Sequence, residues 1–389
     1  APSIRERICG GRASIDMGNN TDAMGDAQTL ALVLKTGSLD APVSIGEVRQ
    51  VGATLGQDSI RSGSIASVAG GLVVLFFMAL WYRLPFETLP RSALAGAFAL
   101  LGLAVVASLF RRRALRALTT FTLALAAVIL WWSTLTPPAA GNWSPDVARQ
   151  VTGHLEGDVL TLTNVRNFSW QTPEDYAENW ETRSYDLSRI KSVDLFMSYW
   201  AGPQMAHMIV SFGFENGEQI AWSFEVRRKA GGGFSAIADL FRSNTLVLIA
   251  ADERDVVGTR TNARGEDVQL FRIAVSPETA RALLLQYAEA ANSLAARPQW
   301  YNSLTTNCTT VVMTMIRTIA GEVPLDWRVL ANGYLPDYAW EQGVLDQTRS
   351  IGELRALGSI TPIAQAHGIT PDYSEVIREG VPLPESGAP

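Results

Sequence analysis

The stretch "YNSLTTNCTT" at 301–310 places Cys308, one of two cysteines in the chain, directly before the apolar run "VVMTMI". Thr305, Thr306 or Asn307 can cap a helix that starts here, which puts Cys308 in its first turn. Backbone N–H groups and the helix dipole at that position favour a thiolate and can also hold an oxyanion. The plainer reading is a small buried thiol. A nucleophile needs a base, and among His154, His207 and His367 the neighbourhood of His207 is the most telling. It opens "AHMIVSFGFENGEQIAWSFEVRR" (206–228), which reads as a β-hairpin. The "ENG" turn suggests a three-residue loop with Gly217 left-handed. That register pairs Phe212 with Ile220, Val210 with Trp222 and Met208 with Phe224 on one apolar side. The other side sets His207 opposite Glu225, with Ser211 and Ser223 nearby, whereas a two-residue loop would mix the faces. Directly opposed Cβ atoms are ~5 Å apart, so Glu225 can orient the imidazole and stabilise its protonated form. The plainer alternatives are a half-exposed strand histidine and a Glu225 paired with Arg227. The chemistry that Cys308, His207 and Glu225 would perform together is acyl transfer or hydrolysis through a thioester.

These side chains need elements to hold them. "DVLTLTNVRNFSW", "IKSVDLFMSYW", "NTLVLIAADE" and "DVQLFRIAVS" read as further strands. Residues 276–297 read as a helix with Ser276 as N-cap, Pro277 at its first position and Glu278 in its first turn. Gly321 is expected to end the cysteine helix. The charge-dense "ADERDVVGTRTNARGEDV" (251–268) reads as a solvated connection with local salt bridges rather than a cleft wall. "LDWR" (325–328) and "GYLPDY" (333–338) suggest a packed loop walling the site, and the remainder looks loop-rich. Asn302 and Tyr301 are candidate oxyanion donors, with packing as the plainer role.

Upstream the character changes. Residues 66–82, 93–110 and 117–135 are three apolar stretches without a charge, each about long enough to cross a ~30 Å hydrocarbon core. Trp81–Tyr82 and Trp131–Trp132 sit near their ends, as interfacial aromatics do. "RRRALR" between the second and third stretches marks the cytoplasmic side, so the N-terminus is expected inside and the chain beyond residue 136 outside, in the periplasm. The expected organisation is a disordered or non-native segment at 1–60, three transmembrane helices within 61–136, and a periplasmic domain at 145–389. Residues 1–60, including Cys9, are assigned no function. Cys9 and Cys308 lie in regions of different character and are not expected to pair. The formal net charge is −6, without a basic stripe, so nucleic acid is not an expected partner. Three scattered histidines point to no metal site, and no cofactor is expected.

A cysteine opening a helix packed on an antiparallel sheet that carries a histidine is the papain-like arrangement. With the histidine first in sequence, the order is circularly permuted. The fold class is therefore expected to be α+β, a three-helix membrane region followed by a permuted papain-like domain. The segments "YWAGPQMAH", "SFGFENGE", "FEVRR", "ADERDVV", "YNSLTTNCTT", "LDWR" and "YLPDY" resemble the Lnb N-terminal periplasmic domain family over roughly 160–346. That resemblance implies a permuted papain-like, NlpC-type thiol enzyme with Cys308 and His207 as catalytic pair. Glu225 as third member rests on the hairpin argument. It further implies acyl transfer to lipoprotein amino termini in the bacterial inner membrane, with membrane lipids or lipoproteins as partners. In this chain the apolar segments precede the domain, whereas the resemblance, through the member that gives the family its name, implies segments after it. The alternatives from other classes are a periplasmic peptidase or amidase acting on cell-wall peptide, and a non-enzymatic membrane-tethered binding domain.

Overall fold

The computed structural model describes residues 22–36, 53–109, 114–320, 323–324 and 326–384. Cys9, Gly321, Leu325 and the arginines at 111–113, on which the orientation argument leans, lie outside the described residues. The chain divides into two compact units, 1–72 and 73–389. The first holds helix α1 (Ala23–Thr36) and the start of α2 (Ala53–Arg83), so the described part of the first 60 residues is helical.

The second unit continues α2 and adds α3 (Thr88–Leu109) and α4 (Ala114–Ser133). Most of each apolar stretch thus lies in a helix, with residue 110 outside the described residues and 134–135 beyond α4. Among the described residues one span, Thr88–Ser108, is long and apolar enough to cross a membrane, and the apolar parts of α2 and α4 are shorter. Val73, Leu80, Ala95, Phe98, Val105 and Phe121 pack the three helices together.

The rest is α+β. The strands are β1 (Thr152–Glu156), β2 (Val159–Arg166), β3 (Ser169–Trp170), β4 (Tyr176–Ala177), β5 (Trp180–Asp186), β6 (Ile190–Tyr199), β7 (Ala206–Phe214), β8 (Gln219–Arg227), β9 (Thr245–Ala251) and β10 (Asp267–Ile273). Eight of them form one sheet in the order β1-β2-β9-β8-β7-β6-β10, with β5 also on β2; the β2–β9 contact is parallel and the remaining pairings are antiparallel. The helices are α5 (Ala236–Leu240), α6 (Glu253–Val256), α7 (Pro277–Ala296), α8 (Cys308–Ala320), α9 (Leu335–Glu341), α10 (Ile351–Leu357), α11 (Thr361–His367) and α12 (Tyr373–Val376). The segment after α8 is therefore a series of short helices, not irregular loop.

Strand alternation explains why the sheet is buried on both faces. Met208, Val210, Phe212, Trp222 and Phe224 face α7 and α8, meeting Leu284, Tyr287, Ala291 and Val312. Ile209, Ala221, Val247, Ile249 and Leu270 face the other way, onto Val256 of α6, Ala364 of α11 and Tyr373 of α12. Ser276 caps α7 by accepting from Thr279 N, with Pro277 at the first position.

The 251–268 segment departs from the expected solvated connection. Asp252, Glu253, Asp255, Thr259, Arg260 and Thr261 are buried. The expected local pairs are present, Asp252 with Arg254 and Glu266 with Arg260 and Arg264, but distant partners join them: Asp255 takes both Nε and Nη2 of Arg166, Glu253 takes Arg378, and Arg260 takes Glu225. Charge density in sequence reads as solvation, but here opposing charges arrive from β2, β8 and the turn after α12 and make burial affordable.

Candidate active site

The hairpin has the register that its hydrophobic pattern predicted. Gly217 adopts φ +86°, and Gly213↔Gln219, Phe212↔Ile220, Val210↔Trp222 and Ile209↔Ser223 are paired. The ladder stops there, although β7 continues back to Ala206 and β8 on to Arg227. Cys308 packs with the apolar face that carries Met208 and Phe224. By alternation His207 shares the face of Ile209. The two side chains therefore come from opposite faces and meet where the paired strands end. The Met208 backbone N–H donates to the thiol there.

Asn307 is the residue that caps α8. Its Oδ1 accepts from Thr309 N and Thr310 N, both at 2.9 Å, while Thr310 Oγ1 accepts from Asn307 N at 2.9 Å. This reciprocal cap is a threonine version of the capping box and fixes Cys308 as the first helical residue. Val311 N bonds to Asn307 O. The Cys308 N–H is the one early amide of the helix without an assigned acceptor among the described residues.

Asn332 clamps the cysteine turn to the strand. It donates to Ala206 O (2.6 Å) and Thr309 Oγ1 (2.8 Å), accepts from Ala206 N (2.9 Å), and its Nδ2 lies 3.9 Å from Cys308 Sγ. Next to it, Gly333 backs onto the 200–205 loop; a Cβ there would fall 2.1 Å from Pro203 O. No cue at the sequence level singled out Asn332, because its value comes from reaching two segments more than a hundred residues apart.

On the histidine side, Nε2 of His207 lies 2.6 Å from Ser223 Oγ, which donates to Glu225 Oε1 at 2.8 Å. Nε2 is also 3.0 Å from Glu225 Oε1. Nδ1 is then the ring nitrogen left for the thiol. Glu225 does not pair with Arg227, whose guanidinium binds Val147 O and Ala148 O. Its partner is Arg260 (Nη2, 2.9 Å), which also holds Glu266 at 3.2 Å, and Glu266 accepts from Ser198. Ser223 and Arg260 thus join the expected trio. The hairpin pattern hinted at Ser223, but nothing local in the sequence ties Arg260 to Glu225.

The electrostatics favour an ion pair. Burial pushes the Cys308 thiol up, yet the His207 ring, the Met208 N–H and the Thr309 hydroxyl outweigh it and hold the thiol below its ordinary value. Burial and the Arg260 charge pull His207 down, but Glu225 and the Cys308 thiol leave it raised. Glu225, despite burial, is held well below the usual carboxylate range by His207 and Arg260. Both shifts point to thiolate beside imidazolium.

The pair opens into a cavity of about 450 Å³, walled by Met205, Phe224, Phe234, Tyr301, Val329 and Leu330 on its apolar side, with Arg228, Arg260, Arg264 and Glu266 on its polar side. The wall comes from between the two expected stretches: Val329, Leu330 and Asn332 line the cavity, and the aromatics Trp327, Tyr334 and Tyr338 do not. Tyr301 also lines the cavity, and burial and the thiolate raise its hydroxyl's pKa, so it stays a donor. Asn302 is committed elsewhere: its Oδ1 takes Leu304 N and Thr305 N, and its amide donates to Leu240 O.

Residues 176–333 match the family described as the Lnb N-terminal periplasmic domain. The chain is also similar to curated relatives named protein translocase subunit SecD. The relative from Calditerrivibrio nitroreducens is 42% identical over 102 residues, 26% of this chain and 19% of the relative. That from Syntrophobacter fumaroxidans is 49% identical over 83 residues, 21% and 15%. That from Desulfurispirillum indicum is 50% identical over 84 residues, 22% and 16%. The chain thus spans less than a fifth of the length of these relatives. No solved structure matches it.

Proposed function

Because residues 176–333 are an Lnb N-terminal periplasmic domain, we propose that the chain is a membrane-anchored periplasmic cysteine acyltransferase acting on lipoprotein amino termini. We read the domain as a permuted papain-like unit and α2–α4 as its transmembrane anchor. The Thr88–Ser108 span is only 22% buried, unlike the core helix of a water-soluble domain. Apolar side chains such as Leu94, Leu100, Leu103 and Leu123 point outward, a surface that suits lipid. The short similarity to translocase subunits fits membrane residence, and no translocation role is carried over.

The observation that carries the reading is the Cys308–His207 pair at the floor of a cavity with an apolar wall. In the first half-reaction the Cys308 thiolate forms a C–S bond to an ester carbonyl. The negative charge moves to the carbonyl oxygen, which the Cys308 N–H and the Tyr301 hydroxyl would hold. As the C–O bond breaks, imidazolium His207 gives its proton to the departing alkoxide. In the second half an α-amine attacks the thioester, His207 takes the amine's proton, and the thiolate leaves with an amide formed. Ser223, Glu225 and Arg260 orient the ring throughout.

The test is mass spectrometry of lipoprotein N-termini in a host without other N-acyltransferases. Expression of the chain should convert free α-amines to amides, and Cys308→Ala should not. Free amines together with Cys308-dependent cleavage of cell-wall peptide would support the hydrolase instead.

A further inference from the structure

Six large apolar residues are 38 to 60% exposed at or next to the cavity: Trp200, Met205, Phe234 and Leu330 line it, and Ile237 and Leu304 follow its lining residues Ala236 and Ser303. Ile237 belongs to α5 and the others to separate loops, and cross-contacts join them into one rim. Trp200 meets Phe234 edge-on at 5.9 Å, and Phe234 in turn contacts Tyr301 at 6.4 Å. Ser303 donates to Ala236 O, joining the Leu304 loop to the start of α5. Isolated exposed apolar residues need no explanation, but a contiguous uncharged set bordering a cavity does.

The same loops are fixed to the ends of the helices. Phe241, which follows α5, stacks on Tyr82 of α2 at 5.7 Å. Arg242 covers the Trp132 ring at 4.7 Å and donates to Trp132 O. Arg83 covers the Trp300 ring at 4.6 Å, and Trp300 donates to Leu135 O. These belts of tryptophan, tyrosine and arginine have the chemistry of a membrane–water boundary. The rim residues Phe234 and Ile237, and Leu304, are only a few residues along the chain from these contacts.

We propose that this rim is a lipid-docking surface: Phe234, Ile237, Leu304 and Leu330 dip into the headgroup–acyl boundary of the bilayer that α2–α4 cross, so that the cavity opens onto lipid rather than water. The proposal rests on the membrane-anchor reading and is independent of the reaction assigned to Cys308. The segments that carry the rim are held to the helix ends by these contacts, and the rim's side chains are of the kind that bury ~5–10 Å deep at such a boundary. It also gives a lipid-borne substrate a route to the thiol without passing through water.

The test uses the full chain carrying Cys9→Ala and Cys308→Ala, reconstituted in phosphatidylcholine vesicles. Single cysteines at Ile237, Leu304 or Leu330 carry an environment-sensitive fluorophore, and brominated lipids serve as quencher. Leu100→Cys on α3 reports the anchor, and His154→Cys, exposed on β1, reports water. Rim labels should be quenched at least twofold more than the label at 154. Rim labels quenched no more than that at 154 overturn the proposal; a quenched label at 100 would then leave the anchor standing, and an unquenched one would remove the anchor as well. In a Cys308-intact chain, Ile237→Ser with Leu304→Ser, neither of which lines the cavity, should slow labelling by a bilayer-borne acyl probe at least fivefold and leave labelling by a short water-soluble probe unchanged. Equal slowing of both probes would assign these residues to folding of the site and count against docking.

Discussion

Glu225 Oε1 lies 3.0 Å from His207 Nε2, at the point where β7 and β8 stop pairing. The hydrogen-bonded path between them runs through Ser223, and Arg260 closes the far side. The carboxylate therefore acts on the ring both directly as a charge and through a hydroxyl.

Glu225→Gln should cut turnover about 10-fold to 100-fold, less than His207→Ala, which removes the base itself. Ser223→Ala should produce a smaller loss, since the ion-pair distance survives. The ratio of kcat/KM across the three variants measures this order, and a Glu225→Gln enzyme as dead as His207→Ala would contradict it.

Cys308 should react with iodoacetamide at lower pH than an ordinary thiol, which titrates at about 8.5, because its pKa is lowered and that of His207 is raised. Rates measured from pH 5 to 10 should rise early and stay flat. In His207→Ala the rise should move to higher pH, with a loss of about 10-fold or more at neutrality.

Glu225 also links stability to acid. Its folded pKa is depressed, so its contribution is present above the unfolded value of about 4.3 and fades as pH falls through the folded one. Urea midpoints of wild type and Glu225→Gln should converge as the pH is lowered below 4. Curves that stay parallel would argue against the depressed value.

Asn332→Ala should cost about 1–3 kcal/mol, since it leaves the Ala206 N–H and carbonyl buried without partners. It should also loosen the cysteine turn, so both Tm and the Cys308 alkylation rate would change. Gly333→Ala should disturb the same region through its collision with Pro203 O.

Arg378 joins the C-terminal helices to the sheet by binding Asp194 and Glu253, both fully buried. Arg378→Met should destabilise the domain by about 3–5 kcal/mol by leaving Glu253 buried without its cation, while Asp194 keeps Arg272. Adding Glu253→Gln to the same chain should recover part of that loss. Chemical denaturation of the single and double variants checks the sign.

The sequence alone determined what depends on neighbours along the chain. The hairpin register followed from period-two alternation and one glycine at positive φ, and it carried the His207–Glu225 juxtaposition with it. The cap and first turn of α8 were legible because Asn and Thr before an apolar run satisfy amides only a few residues away. Three apolar stretches declared helices by composition. Tertiary structure decided what depends on long-range convergence. It placed Cys308 and His207 on opposite faces of the sheet and joined them at the splayed end of a strand pair. It also brought Arg260 to Glu225 and Asn332 to the cysteine turn, and it buried the charge-dense 251–268 segment. A charged residue looks the same in sequence whether water or a distant counter-charge stabilises it, and only the fold supplies the counter-charge.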